Sequence, residues 1–133
     1  MLKEAKFHHI GIAVLSIDAI KPFYTAMGYE VSDTVIEPVQ LVKVAYARKG
    51  GCPVMELLEP LNEKSPVQNI LKRMGNTPYH VCFEVPNLSD AIKEARAWGF
   101  LPLAKPVPGR GLDNAMMLFL YNKNVGLIQI MEK

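Results

Sequence analysis

The chain is patterned by short alternating runs that give way to stretches of helical period. In residues 9–14, HIGIAV, one face of an extended strand carries His9, Gly11 and Ala13, and the other Ile10, Ile12 and Val14. Residues 80–85, HVCFEV, split in the same way, with His80, Cys82 and Glu84 opposite Val81, Phe83 and Val85. Further strands are predicted near 41–47, 53–59, 115–121 and 126–132. Ala19, Ile20, Phe23, Tyr24 and Met27 form one apolar helical face. That helix is predicted to start near Asp18, because Pro22 is tolerated only in an opening turn, and to stop at Gly28. A second helix takes Ser89 as its N-cap, has Asp90 at its positive end, and stops at Gly99. SPVQNILKRMG predicts a short helix near 66–74, with Ser65 as cap, Pro66 in the first turn, Lys72 and Arg73 in the last, and Gly75 beyond. KPVPGRGLDN (105–114), rich in Pro and Gly, predicts a mobile loop.

These elements occur twice. HIGIAV matches HVCFEV, the string DAIK recurs, Gly28-Tyr29 matches Gly99-Phe100, and PVMELLE (53–59) matches GLIQIME (126–132), at offsets of 71 to 73 residues. The predicted fold is therefore α+β: two pseudo-symmetric βαβββ modules, one spanning about 5–62 and the other about 76–133, within a single domain of 1–133. The helix near 66–74 joins them. With helices outside and sheets facing each other, the modules form an open half-barrel around a cavity.

Bulk properties narrow the function. A chain of 133 residues, half of them hydrophobic and 21% charged, suits one domain with a real core. A net charge of +2 without a basic, aromatic-laced run gives no footing for nucleic-acid binding. No apolar stretch has membrane-spanning length and no signal pattern opens the chain. Cys52 and Cys82 form no framework, so a reducing cytoplasm is expected.

The bulky apolar faces of the His strands are expected to pack on the helices. The His faces, lined by small or polar residues, fit a cavity, and His8 falls on the apolar side as a peripheral residue. Glu56 stands mid-strand among Val, Met and Leu, where an unpaired buried carboxylate costs several kcal/mol. Its counterpart is Gln129. The repeat thus pairs His9 with Glu56 and His80 with Gln129. Two imidazoles, a carboxylate and an amide oxygen converging in one hollow suit a divalent metal: Zn, Ni, Co, Mn or Fe. Cys82 is read as a small wall residue and Cys52 as a turn residue. Arg110, Asp113 and Asn114 are candidates to close over a small-molecule substrate. Met116, Met117 and Phe119 are read as wall or core, and Trp98 as packing.

HHIGIAV, FYTAMGYEV, MELLEPLNEKSPV, YHVCFEV and VGLIQIMEK occur in the order of the landmarks of a known family, and PVPGRG is similar to its loop before the penultimate strand. The chain resembles the vicinal oxygen chelate superfamily, which includes glyoxalases, extradiol dioxygenases and methylmalonyl-CoA epimerases. The likeness is nearest to the epimerase-like and glyoxalase-like branch and covers essentially the whole chain. It implies a metal held by His9, Glu56, His80 and Gln129, and a homodimer. It also implies a metal-dependent isomerase, epimerase or lyase. The substrate would be a small 2-oxo, 2-hydroxy or acyl-CoA thioester compound, handled through a metal-stabilised enolate. Methylmalonyl-CoA epimerase-like proton transfer ranks first and lactoylglutathione lyase-like isomerisation second. An extradiol-type dioxygenase and a non-catalytic ligand- or drug-binding protein are the alternatives.

The sequence departs from the family pattern in two places. The last-strand ligand, commonly a Glu that doubles as a base, is Gln129, and an amide accepts no proton at neutral pH. The strand holding LVKVAYA, where epimerases carry a second carboxylate, offers Lys43, which is a candidate base if its pKa is depressed, a partner for an anionic substrate, or a solvent-facing residue. Some epimerases of this branch carry Gln on the first-half strand and Glu on the last. Here the order is reversed, so the base role can move to Glu56, with substrate bound in the mirrored direction.

Overall fold

Alternation along the His-bearing runs becomes two long strands. The structure, a computed structural model, describes Met1–Lys133. In chain order the elements are β1 (Lys6–Ala13), α1 (Ile17–Ala26), β2 (Glu30–Val31), β3 (Val35–Glu37), β4 (Val42–Arg48), β5 (Val54–Pro60), α2 (Val67–Met74) and β6 (Thr77–Val85). They continue with α3 (Leu88–Ala97), β7 (Leu101–Pro102), β8 (Val107–Gly109), β9 (Ala115–Asn122) and β10 (Gly126–Glu132). The class is α+β, with parallel and antiparallel strand pairs. The chain divides into two compact units, one of His9–Tyr79 and the other of Met1–His8 with His80–Lys133. No helix is long and apolar enough to cross a membrane.

In the His9–Tyr79 unit the strand order is β2-β4-β5-β1, with β3 also on β4. β1 and β5 run parallel, and β4 is antiparallel to β5, β3 and β2. Val14, Ile17, Ala45 and Leu57 form the core, with Ile12, Ile20 and Tyr24 against it, so the bulky face of β1 does pack on α1. Only Ile17, Ile20 and Tyr24, one turn apart, face inward. Ala19, Phe23 and Met27, predicted on the same face, are exposed. α1 begins at Ile17, one residue before the predicted start, because Ser16 accepts the Ala19 amide as N-cap. α2 buries Val67 and Leu71; its N-cap is Pro66, one residue beyond the expected Ser65, and Ser65 Oγ accepts the Val67 amide only at 3.4 Å.

The other unit has strand order β6-β10-β9-β7, with β8 also on β9. β6 and β10 run parallel, and the remaining pairs are antiparallel. Val85, Leu88, Ala91, Ala95, Phe100, Leu118, Leu120 and Ile130 make its core. The N-cap of α3 is Asn87, not Ser89, with Asn87 Oδ1 accepting the Asp90 amide at 2.9 Å. Asn87 and Ser89 are both cap-type residues, and the structure uses the earlier one. By their caps, Ser16 and Asn87 correspond, and so do Gly28 and Gly99, both at φ near 90° where a side chain is strained. Residues 105–114, expected as a mobile loop, contain a short strand and a turn: Val107–Gly109 pairs with β9 and Arg110–Leu112 forms a 3₁₀ turn. Pro108 is tolerated there because β8 pairs on one side only. Trp98 is 71% exposed and not packed as expected.

Each unit thus has the βαβββ order, with its second strand broken into two short pieces, β2 with β3 and β7 with β8.

Candidate metal centre

In the His9–Tyr79 unit, β1 and β5 are registered so that Gly11 lies beside Glu56. His9, two residues back, therefore projects from the same face as Glu56. Both are buried, and His9 Nε2 lies 3.2 Å from Glu56 Oε1. Tyr46 stands directly opposite Glu56 across β4 and β5. Its hydroxyl donates to Glu56 Oε2 at 2.7 Å, and its ring meets the His9 imidazole edge-on at 6.0 Å. The buried carboxylate is thus held by two groups, which offsets the cost of desolvating it. Burial and the Glu56 charge raise the Tyr79 phenol above its ordinary pKa, so it stays protonated.

Glu37, which sequence reasoning missed, joins this face. It opposes Val42 on β4, and alternation puts Val42, Val44 and Tyr46 on one side. Glu37 is only 3% exposed, so a second carboxylate is buried on the Glu56 side of the sheet. Its signal was a lone acid at the end of an apolar strand, too short to read. Lys43 goes the other way. It shares its face with Ala45 on the helix side, and its ammonium lies 3.4 Å from Glu59. The structure places Lys43 beside the start of α1, and not with Glu56.

The other unit repeats the arrangement with different chemistry. Gln129 lies beside Cys82 in the β6–β10 register, and His80, two residues back, shares that face. Both His80 and Gln129 are buried. Phe119 takes the place that Tyr46 has in the first unit, opposite Gln129 and edge-on to His80 at 5.0 Å. Gln129 Nε2 donates to Met117 Sδ at 3.1 Å. Cys82 is fully buried and Cys52 is exposed, and neither forms a disulfide. Arg110, Asp113 and Asn114 are exposed in and after the 3₁₀ turn, and Asp113 and Asn114 adopt left-handed backbone. His8 is half-buried, and of the two methionines Met117 is buried while Met116 is 40% exposed.

Each unit therefore presents one imidazole and one side-chain oxygen on one buried face, in the same strand register. Gln129 Oε1 is a buried acceptor that receives no hydrogen bond, and such an atom is costly unless a cation or donor meets it. Imidazole nitrogens, a carboxylate and an amide oxygen are a donor set that fits a borderline divalent ion.

A duplicated βαβββ chain defines a class of fold. The model of the Glyoxalase/Bleomycin resistance protein/Dioxygenase superfamily matches residues 8–118, and the chain belongs to that superfamily. Among its relatives is the mitochondrial methylmalonyl-CoA epimerase of Mus musculus, 30% identical over 126 residues, covering 93% of this chain and 70% of the relative. The ethylmalonyl-CoA/methylmalonyl-CoA epimerase of Cereibacter sphaeroides is 30% identical over 121 residues, covering 90% of each. A single-residue variant of the Streptomyces coelicolor methylmalonyl-CoA epimerase, solved in complex with 2-nitronate-propionyl-CoA, superposes with a TM-score of 0.85 at 28% identity, covering 96% of this chain and 94% of that one.

Proposed function

We propose that His9, Glu56, His80 and Gln129 hold one divalent metal ion, and that the chain epimerises an acyl-CoA thioester of the methylmalonyl-CoA class. The observation that carries this reading is the repeat of an imidazole–oxygen pair at one register in both units, with the Gln129 oxygen left unsatisfied. The epimerase names of the relatives support the substrate class.

A divalent cation held by His9, Glu56, His80 and Gln129 would supply Lewis-acid stabilisation of negative charge developing on the substrate oxygens. The chain's own residues move the proton. Inversion at carbon requires removal from one face and delivery to the other, hence two acid–base groups. Gln129 cannot be one of them. Glu56 and Glu37 are buried carboxylates on the same sheet face. Val42, opposite Glu37, and Tyr46, opposite Glu56, are four residues apart on β4, which spans about 13 Å of strand. Val44 shares that face between them. Glu56 acts from the metal side and Glu37 from the opposite side, while the Tyr46 hydroxyl fixes the rotamer of Glu56.

The test has two stages. Elemental analysis of protein purified without a histidine tag is expected to find close to one divalent ion per chain. Incubation with methylmalonyl-CoA in heavy water is then expected to place deuterium on the carbon between the two carbonyls. Metal-bearing protein that exchanges no such proton in any acyl-CoA thioester would refute the reaction.

A further inference from the structure

We propose that Met117 is a positioning residue for the metal: its sulfur accepts the Gln129 amide N–H and thereby fixes the amide oxygen as the ligand atom. This rests on the metal reading above and deepens it. A glutamine amide presents oxygen or nitrogen to a given point depending on a half-turn about its last bond, and only the oxygen has a lone pair to give a cation. Something must choose between the two. Gln129 Nε2 lies 3.1 Å from Met117 Sδ, and both residues are at most 3% exposed. A thioether sulfur accepts a hydrogen bond and cannot donate one. The flipped amide would set oxygen lone pairs against sulfur lone pairs and aim two N–H groups at the ion.

The other unit shows why the device is needed here. Tyr46, opposite Glu56, gives its carboxylate a hydroxyl donor. The corresponding residue opposite Gln129 is Phe119, which has none to give. A carboxylate has two equivalent oxygens and needs a donor; an amide has two unlike ends and needs an acceptor. Each unit supplies the complement its own ligand requires. The register counterpart of Met117 is Val44, which opposes Leu58 as Met117 opposes Met131, and Val44 carries no acceptor. The acceptor therefore appears only in the unit whose ligand is an amide.

The experiment is a double-mutant cycle read by metal affinity. Chelator-stripped wild type, Met117→Leu, Gln129→Glu and the double variant are titrated with Co²⁺, whose visible absorption reports ligand number and geometry. Leu keeps the volume and removes the acceptor. With Gln129 present, Met117→Leu is expected to weaken Co²⁺ binding about 10-fold, the scale of lost ligand-orienting partners, and to alter the spectrum. With Glu at position 129, which has no wrong end, the same change is expected to leave affinity and spectrum unaltered. Met117→Ile repeats the comparison with a different packing shape, and thermal unfolding of the stripped proteins reads any general packing loss. Equal weakening in both backgrounds, or none in either, overturns the positioning role. Wild type that takes up no Co²⁺ overturns the metal reading itself, and this proposal with it.

Discussion

The Tyr46 hydroxyl and the Glu56 carboxylate meet at 2.7 Å with both side chains buried. A hydrogen bond to a charged, buried acceptor contributes about 1.5–3 kcal/mol, and removing the donor strands the acceptor. Tyr46→Phe is therefore expected to lower the stability of the metal-free protein by about 2 kcal/mol. The fold tolerates the shape, since Phe119 already fills the matching place against His80. Urea unfolding of the stripped variant checks this, and an unshifted midpoint with an unchanged slope refutes it.

Glu56→Gln and Glu37→Gln are expected to separate the two halves of the proton transfer. Glu56→Gln keeps an oxygen ligand beside His9, so metal content should hold while turnover falls by at least about 100-fold, the usual contribution of a positioned base. Full activity in that variant sinks the base assignment. Glu37→Gln should abolish inversion yet still let one epimer exchange its proton with heavy water, because the other carboxylate remains. Proton NMR of each epimer separately reads this directly. Exchange lost equally from both epimers removes Glu37 from the acid–base pair.

The proposed metal site implies that a chelator destabilises the chain, because the four proposed ligands come from strands distant in sequence and meet only in the folded state. At free metal one hundred times its Kd, binding adds about 2.7 kcal/mol. Thermal unfolding with and without chelator is expected to differ by several degrees, with Tm rising again as metal is returned. The increment should shrink in His80→Ala, which retains His9 and Glu56. A Tm indifferent to chelator in wild type contradicts the four-ligand assignment.

The repeat was legible in the sequence because strand patterns and terminal glycines survive divergence. The register that puts Gly11 beside Glu56 and Cys82 beside Gln129 follows the same duplication. What could not be read depends on tertiary direction. Lys43 and Tyr46, three residues apart on β4, face opposite sides by alternation, but which of those sides carries Glu56 is set only by the pairing of β4 with β5. Glu37 sits in a three-residue strand whose pairing to β4 leaves no local pattern. The misplaced Ser89 cap shows a different failure. Two cap-type residues, Asn87 and Ser89, stand close together, and a helix start is chosen by the side chain that reaches its free amides.

That choice has a long-range counterpart which the duplication also preserves. Glu59 Oε1, at the end of β5, accepts the Ile17 amide at 2.8 Å, and Glu132 Oε2, at the end of β10, accepts the Leu88 amide at 2.7 Å. In each unit a carboxylate from the last strand thus meets the first turn of the helix, where free N–H groups and the helix dipole favour negative charge. Lys43 steadies only Glu59. Glu59→Gln and Glu132→Gln keep an acceptor and lose the charge, so each is expected to cost no more than about 1 kcal/mol. Glu59→Ala and Glu132→Ala lose both and are expected to cost about 1–2 kcal/mol. Amide exchange at Ile17 and Leu88 should quicken only in the unit that carries the substitution. Quickening of both amides by either variant would show that the caps do not act within their own units.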